Sequence, residues 1–238
     1  AEIEALQPDA VVVKGDLTTK GSREELQLFH DAWGGFGERL HWVRGNHDAY
    51  HDPTVGLDSG APYAVELNGV TLAVLDTVIP GKSTGQLPVV QREWLDALLH
   101  AALNPVLVFG HHHVWSPDSP NRHDTYFGIN PDDSEALIAL AVAHPVFAGY
   151  FAGHTHRNRV RRFADARNVP FAEVACLKDY PGAWAEYRVY EAGYTQVMRR
   201  VLAPDAMAWT ERTRGMFAGL YRDYALGQLS DRCFTQPF

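Results

Sequence analysis

The chain has 238 residues, 46% of them hydrophobic, enough to bury one sizeable core. Its formal charge of -8 argues against an extended nucleic-acid surface, and no stretch approaches the roughly 18 uninterrupted apolar residues that cross a bilayer. A small partner and no membrane are therefore expected. The two cysteines, Cys176 and Cys233, make no disulfide framework; they read as free buried thiols, with the cytoplasm as default location.

The opening residues AEIEALQPDA carry neither a basic start nor an apolar signal core. They read as the end of a helix (Ala1 to Leu6) and a Pro-Asp turn, followed by a strand at Ala10 to Val13 that closes on Gly15-Asp16. Ser22 to Trp33 has helical spacing, and Leu40 to Val43 is a strand that runs into Gly45-Asn46-His47-Asp48. Tyr63 to Leu67 and Val70 to Leu75 flank Asn68-Gly69, a strong hairpin signal, so one strand pair is antiparallel. Gln91 to Leu103 is helical, with Leu95, Leu98, Leu99 and Ala102 on one face. Val106 to Phe109 is a strand ending at Gly110-His111-His112-His113, and Asp132 to Ala143 is a helix. Val146 to Ala152 is a strand ending at Gly153-His154-Thr155-His156. Phe171 to Ala175 and Glu186 to Tyr190 complete the predicted strands. The alternation predicts an α/β protein with two sheets flanked by helices, residues 1–203 forming the domain. Residues 204–238 read as a helical extension, with Trp209, Met216, Phe217, Leu220, Tyr221, Tyr224 and Leu226 as a packing stripe; a homo-oligomer contact is the alternative.

Of the 12 histidines, His47, His111, His112, His113, His154 and His156 fall at only three places, each just beyond a predicted strand. Ligands gather beyond the carboxyl ends of strands in open α/β sheets, where loops present side chains without disturbing the ladder. One carboxylate, one amide and several imidazoles suit Mn, Fe, Zn or a similar ion, and a catalytic site above a structural one. Two cations about 3.5–4 Å apart need an anionic ligand between them, and Asp16 is the natural bridge. Asn46 ligates without adding charge. His154 and His156, two residues apart, can aim one imidazole at each ion. His111 is the first candidate in its cluster because it directly follows Gly110, with His112 as runner-up; His113 is a pocket residue or polar surface.

Gly15-Asp16, Gly45-Asn46-His47-Asp48, a histidine after an apolar strand at His111, and Gly153-His154-Thr155-His156 together resemble the calcineurin-like metallophosphoesterases in order and spacing. The resemblance implies a four-layer α/β/β/α sandwich of two mixed sheets and a phosphodiesterase acting on a small phosphate ester. It implies two divalent metal ions bridged by Asp16, with Asn46, His111 and His154 on one and His156 on the other. It also makes His47 the residue that contacts the phosphate and protonates the leaving alkoxide, with Asp48 orienting its ring. The chain departs from the family pattern in two places. His111-His112-His113 is followed by Val114-Trp115, and Pro117 comes only later. The family's first motif, an Asp and a His two residues apart, is absent; a strand and most of a helix are expected upstream, and the second metal site is expected to be incomplete. The alternative function is a non-catalytic scaffold that keeps the fold as a protein-binding surface.

Overall fold

The computed structural model describes residues 2–56, 62–115 and 127–238. Ala1 and Pro117, which figure in the sequence reading, lie outside them. Strands β1 (Val11–Lys14) and β2 (Leu40–Val43) pair in parallel, Val11 opposite Leu40 and Lys14 opposite Val43. Between them runs α1 (Arg23–Trp33), capped by Ser22, whose hydroxyl accepts the Glu25 amide at 3.1 Å. The Asn68-Gly69 turn joins β3 (Tyr63–Leu67) to β4 (Val70–Val74) with Leu67 opposite Val70, and Gly69 takes the φ of 81° that this turn requires.

Next come α2 (Val89–Ala101), β5 (Val106–Phe109), α3 (Pro131–Ala143) and β6 (Phe147–Ala152). Asn130 caps α3 by accepting the Asp133 amide at 3.0 Å, and Pro131 opens the helix where no amide is needed. Strands β7 (Arg159–Arg162) and β8 (Pro170–Glu173) follow, then the hairpin of β9 (Ala183–Tyr190) and β10 (Gly193–Arg200). The chain continues through α4 (Pro204–Glu211), α5 (Tyr221–Leu226), α6 (Leu229–Arg232) and β11 (Cys233–Pro237).

The largest sheet has the order β3-β4-β5-β6-β8-β7, parallel at its centre with an antiparallel strand at each edge. Alternation along β5 divides its side chains between two cores. Val106 and Val108 face Leu95 and Leu99 of α2 and Leu137 and Ala141 of α3. Leu107 and Phe109 face the other way, where Phe151, Tyr194, Tyr187 and Val12 meet. That second layer consists of two separately paired pieces, β1-β2 and β11-β10-β9. Phe29 of α1 then packs on Val11 and Leu40, closing the far side. The layers run helix, sheet, sheet, helix, as expected.

Three strands were not anticipated. β7 reads Arg-Val-Arg-Arg, which looks like solvated loop, yet its Arg161 is held by a buried carboxylate of β8. β10 follows a Glu191-Ala192 turn with no Asn-Gly signal. β11 ends the region that reads as helical: alternation brings Phe234 and Gln236 inward against β10, while Cys233 and Thr235 stay exposed. Only part of the C-terminal stripe packs, because Tyr221 is buried whereas Trp209, Phe217 and Leu220 are exposed. Both thiols are free as expected, but neither is buried: Cys176 is half-buried and Cys233 exposed. Among the described residues, no helix is long and apolar enough to cross a membrane.

Phe151 is the hinge of the inter-sheet core, fully buried with its ring 4.7 Å from Tyr187, 5.3 Å from Phe109 and 6.0 Å from Tyr194. Phe151→Ala should therefore cost about 3–5 kcal/mol by leaving a cavity among these rings. Urea denaturation measures it; a loss below about 1 kcal/mol means that the two layers are not packed through this residue.

Candidate metal centre

The loops after β1, β2, β5 and β6 converge because parallel strands deliver their carboxyl ends to the same side. Glycine allows the approach. A side chain on Gly15 would lie 2.4 Å from His111 Nδ1, and one on Gly45 would lie 2.1 Å from Asp16 Oδ1. The backbone at Asp16, His154 and His156 takes left-handed φ values of 52°, 66° and 56°. Non-glycine residues held there concentrate at functional sites.

His111 is the pivot. Its Nδ1 lies 2.7 Å from the Lys14 carbonyl, which can only accept, so the proton sits on Nδ1 and Nε2 presents a lone pair. Around Nε2 lie Asn46 Oδ1 at 3.0 Å, His154 Nδ1 at 3.2 Å and Asp16 Oδ1 at 3.4 Å. Asn46 donates through Nδ2 to Tyr50 at 2.6 Å, which commits its oxygen to the same point. A proton on His154 Nδ1 would satisfy one of these contacts, leaving the other oxygen and nitrogen lone pairs opposed. Burial, reinforced by the neighbouring histidines, lowers His154 to about 2 and keeps its ring neutral. Crowded lone pairs of this kind fit a divalent cation with imidazole, amide and carboxylate ligands. Asp16, Asn46, His111 and His154 would hold it.

His112 is also brought to the cluster, its ring 4.8 Å from His111 and 4.7 Å from His154. Its Nδ1 is engaged with Thr77 Oγ1 at 2.8 Å, while its Nε2 is buried without a hydrogen-bond partner. His113 is buried, which removes the polar-surface alternative; burial lowers its ring to about 4.

His156 is placed differently from the rest. Its Nδ1 donates to Asp179 Oδ2 at 2.8 Å, and this bond, with Cys176 assisting, raises the ring to about 10.

His47 turns its Nδ1 to the Thr19 carbonyl at 2.9 Å, with its ring 5.0 Å from Tyr50. The expectation that Asp48 orients this ring is corrected. The Asp48 carboxylate is fully buried and accepts from the amides of Leu17, Thr18 and Gly45 and from the Thr18 hydroxyl, at 3.1, 2.7, 2.6 and 2.7 Å. With four donors satisfied, Asp48 ties the Asp16 loop to the Asn46 loop and has no capacity left for an imidazole. Burial still pushes its carboxyl up, against the pull of those donors.

Sequence reading missed Glu173, at the end of β8. It accepts from the Thr155 hydroxyl at 2.8 Å, from Arg157 at 2.9 and 3.2 Å, and from Arg161 at 3.3 Å. It therefore clamps the loop that carries His154 and His156. Its only sequence signal is a carboxylate inside an otherwise apolar strand. The C-terminal helices brace the same loop: Tyr224 donates to the Thr155 carbonyl at 2.9 Å, and Asn158 donates to the Ala225 carbonyl through its amide side chain at 2.9 Å.

A family model described as calcineurin-like phosphoesterase matches residues 1–158. The chain is 29% identical over 171 residues to a glycerophosphodiester phosphodiesterase of Enterobacter lignolyticus, covering 67% of this chain and 60% of that protein. It is 31% identical over 161 residues to a cAMP/cGMP dual specificity phosphodiesterase of Mycobacterium tuberculosis, covering 63% of this chain and 49% of that protein. It thus spans less than two thirds of either relative. Among solved structures, a dimetal phosphatase of Danio rerio superposes with a TM-score of 0.64 at 16% identity, over 84% of this chain and 83% of its own. A purple acid phosphatase of yellow lupin superposes at 0.59 and 12% identity, over 83% of this chain and 45% of its own. At these identities the structural likeness bears on fold alone.

The clamp can be tested by charge removal. Burial pushes the Glu173 carboxyl up, but His113, Arg157 and Arg161 outweigh it and hold the group below its usual range. A depressed carboxylate contributes stability above its unfolded pKa and loses it as pH falls through the folded value. Glu173→Gln, which removes the buried charge that Arg157 and Arg161 both bind, should lower stability by about 3–5 kcal/mol at neutral pH and reduce metal affinity. It should also flatten the acid limb of a stability-against-pH curve. A variant as stable and as acid-sensitive as the parent contradicts the clamp.

Proposed function

We propose that this chain, which belongs to the calcineurin-like phosphoesterase family, hydrolyses small phosphate esters with divalent metal ions, phosphodiesters above monoesters. The observation that carries this reading is the meeting of Asp16 Oδ1, Asn46 Oδ1 and His154 Nδ1 within 3.4 Å of His111 Nε2, with too few protons to relieve it. The phosphodiesterase relatives, one acting on glycerophosphodiesters and one on cyclic nucleotides by their names, support the diester preference.

When bound, divalent ions supply Lewis acidity toward phosphoryl oxygens and make a hydroxide nucleophile accessible at neutral pH. The protein's part is to hold the ligands and handle the leaving group. Lys14 fixes the His111 tautomer through its carbonyl, Tyr50 fixes the Asn46 amide, and Asp48 fixes the two loops. Asp16, also anchored by the His47 amide at 3.2 Å, would supply the anionic ligand of the metal centre. On His47, the Thr19 carbonyl accepts the Nδ1 proton, so delivery of a proton to the departing alkoxide falls to Nε2 of the doubly protonated ring.

Asp16→Asn keeps the shape and removes the charge, so metal content and hydrolysis of a chromogenic phosphodiester should fall by orders of magnitude. Full activity in that variant sinks the reading. His47→Ala should keep its metal and lose about 10²–10⁴-fold in rate, with esters of acidic leaving groups suffering least. Equal losses for good and poor leaving groups would remove the proton-donor role, and loss of metal would make His47 a ligand.

A further inference from the structure

Phe127 carries no signal in the sequence, yet the structure sets it beside the metal centre. Its ring centroid lies 5.3 Å from that of His154, with the two planes tilted by 34°. The residue is nonetheless 60% exposed. The phenyl ring thus leans on one candidate ligand and keeps much of its apolar surface open.

The backbone holds Phe127 there. Immediately after it, the Gly128 carbonyl accepts the Gly85 amide at 2.8 Å, the Ile129 amide donates to the His113 carbonyl at 2.8 Å, and the Asn130 amide donates to the Gly85 carbonyl at 3.0 Å. Ile129 is fully buried, and its carbonyl accepts the Ser134 hydroxyl at 2.9 Å. Glycine is needed at position 85, since a side chain there would lie 2.5 Å from the His112 ring. A lone exposed aromatic is ordinary on a protein surface. One that the backbone fixes against a candidate metal ligand is a contact surface for what the metal holds. Tyr50, a second aromatic at the centre, is committed otherwise, its hydroxyl accepting the Asn46 amide at 2.6 Å.

Phe127 offers a flat π-face and no hydrogen-bonding group, so it discriminates by the shape of a substituent and not by its polar pattern. Planar aromatic groups gain from offset or tilted stacking on such a face, and every nucleobase has one to offer. A polyol substituent has no flat face, and its hydroxyls would lose water against the ring. We propose that Phe127 is a specificity-determining residue that stacks on a planar aromatic substituent of the phosphate ester, a nucleobase above all, and so favours nucleotide-type esters over those of polyols. This rests on the phosphoesterase reading of the site, in which His154 would hold a metal and the metal the phosphate.

Binding of phosphate monoesters tests the stack without turnover. In isothermal titration calorimetry of the manganese-loaded chain, AMP should bind at least about fivefold more tightly than glycerol 3-phosphate, the low end of what one base–aromatic stack contributes. GMP should match AMP within about twofold, as a stack blind to base identity requires. Phe127→Ala should abolish the preference by weakening AMP alone, and Phe127→Trp should keep it. Because Phe127 is exposed, its truncation opens no cavity in the core. Absence of a preference in the unaltered chain, or a preference that survives Phe127→Ala, overturns the proposal. The two readings fail separately. A chain that hydrolyses no diester yet shows the Phe127-dependent preference sinks the phosphoesterase reading and retains the stack; a chain that hydrolyses diesters without that preference sinks the stack alone.

Discussion

The hydrogen bond from His111 Nδ1 to the Lys14 carbonyl, 2.7 Å long, joins the end of β5 to the end of β1 and decides which nitrogen of His111 is free. Everything at the centre follows from that choice. With Nδ1 committed, Nε2 must face Asn46, His154 and Asp16, all of which offer lone pairs. In a sheltered, low-dielectric setting such an arrangement is unfavourable without a positive charge at its focus, because opposed lone pairs are poorly screened. The fold thus holds an electrostatic debt at one point, and the neutral state imposed on His154 by burial keeps its nitrogen available to settle it.

The surrounding structure keeps that arrangement from relaxing. Left-handed backbone at Asp16, His154 and His156 is retained only where neighbours over-determine it. Asp48 binds two of the loops through four donors, and Glu173 binds the third through Thr155 and Arg157. Behind them, the parallel strands β4, β5, β6 and β8 sit between two apolar cores and give the loops a rigid base. The C-terminal helices belong to this support, since Tyr224 and Ala225 hold the backbone on either side of His156. Residues well beyond the matched family segment therefore act on the candidate site.

How much of this was legible in the sequence depended on the range of the interaction. β5 and β6 announce themselves as apolar runs closed by glycine, and the β3-β4 hairpin by Asn68-Gly69, because these signals are local. Placing Asp16, Asn46, His111 and His154 in one set came from the resemblance to the calcineurin-like metallophosphoesterases, which the order and spacing of the motifs carry. Glu173 was invisible because its meaning lies in Arg157 and Arg161, whose sequence looks like exposed loop. Asp48 was assigned to the wrong partner for a similar reason: adjacency to His47 suggested ring contact, whereas the backbone turn points its carboxylate at the Leu17 and Thr18 amides. The half-buried state of Cys176 and the strand at Cys233–Pro237 likewise depend on tertiary packing against distant segments.

The central claim is that a cation belongs among Asp16 Oδ1, Asn46 Oδ1, His111 Nε2 and His154 Nδ1. Anomalous diffraction from crystals of the manganese-loaded or zinc-loaded chain tests it most directly. The account predicts an anomalous peak at coordination distance, about 2.0–2.2 Å for nitrogen and oxygen ligands of zinc, from all four atoms. A fully loaded crystal with no peak there, or with a peak bound through His112 in place of His111, would contradict it.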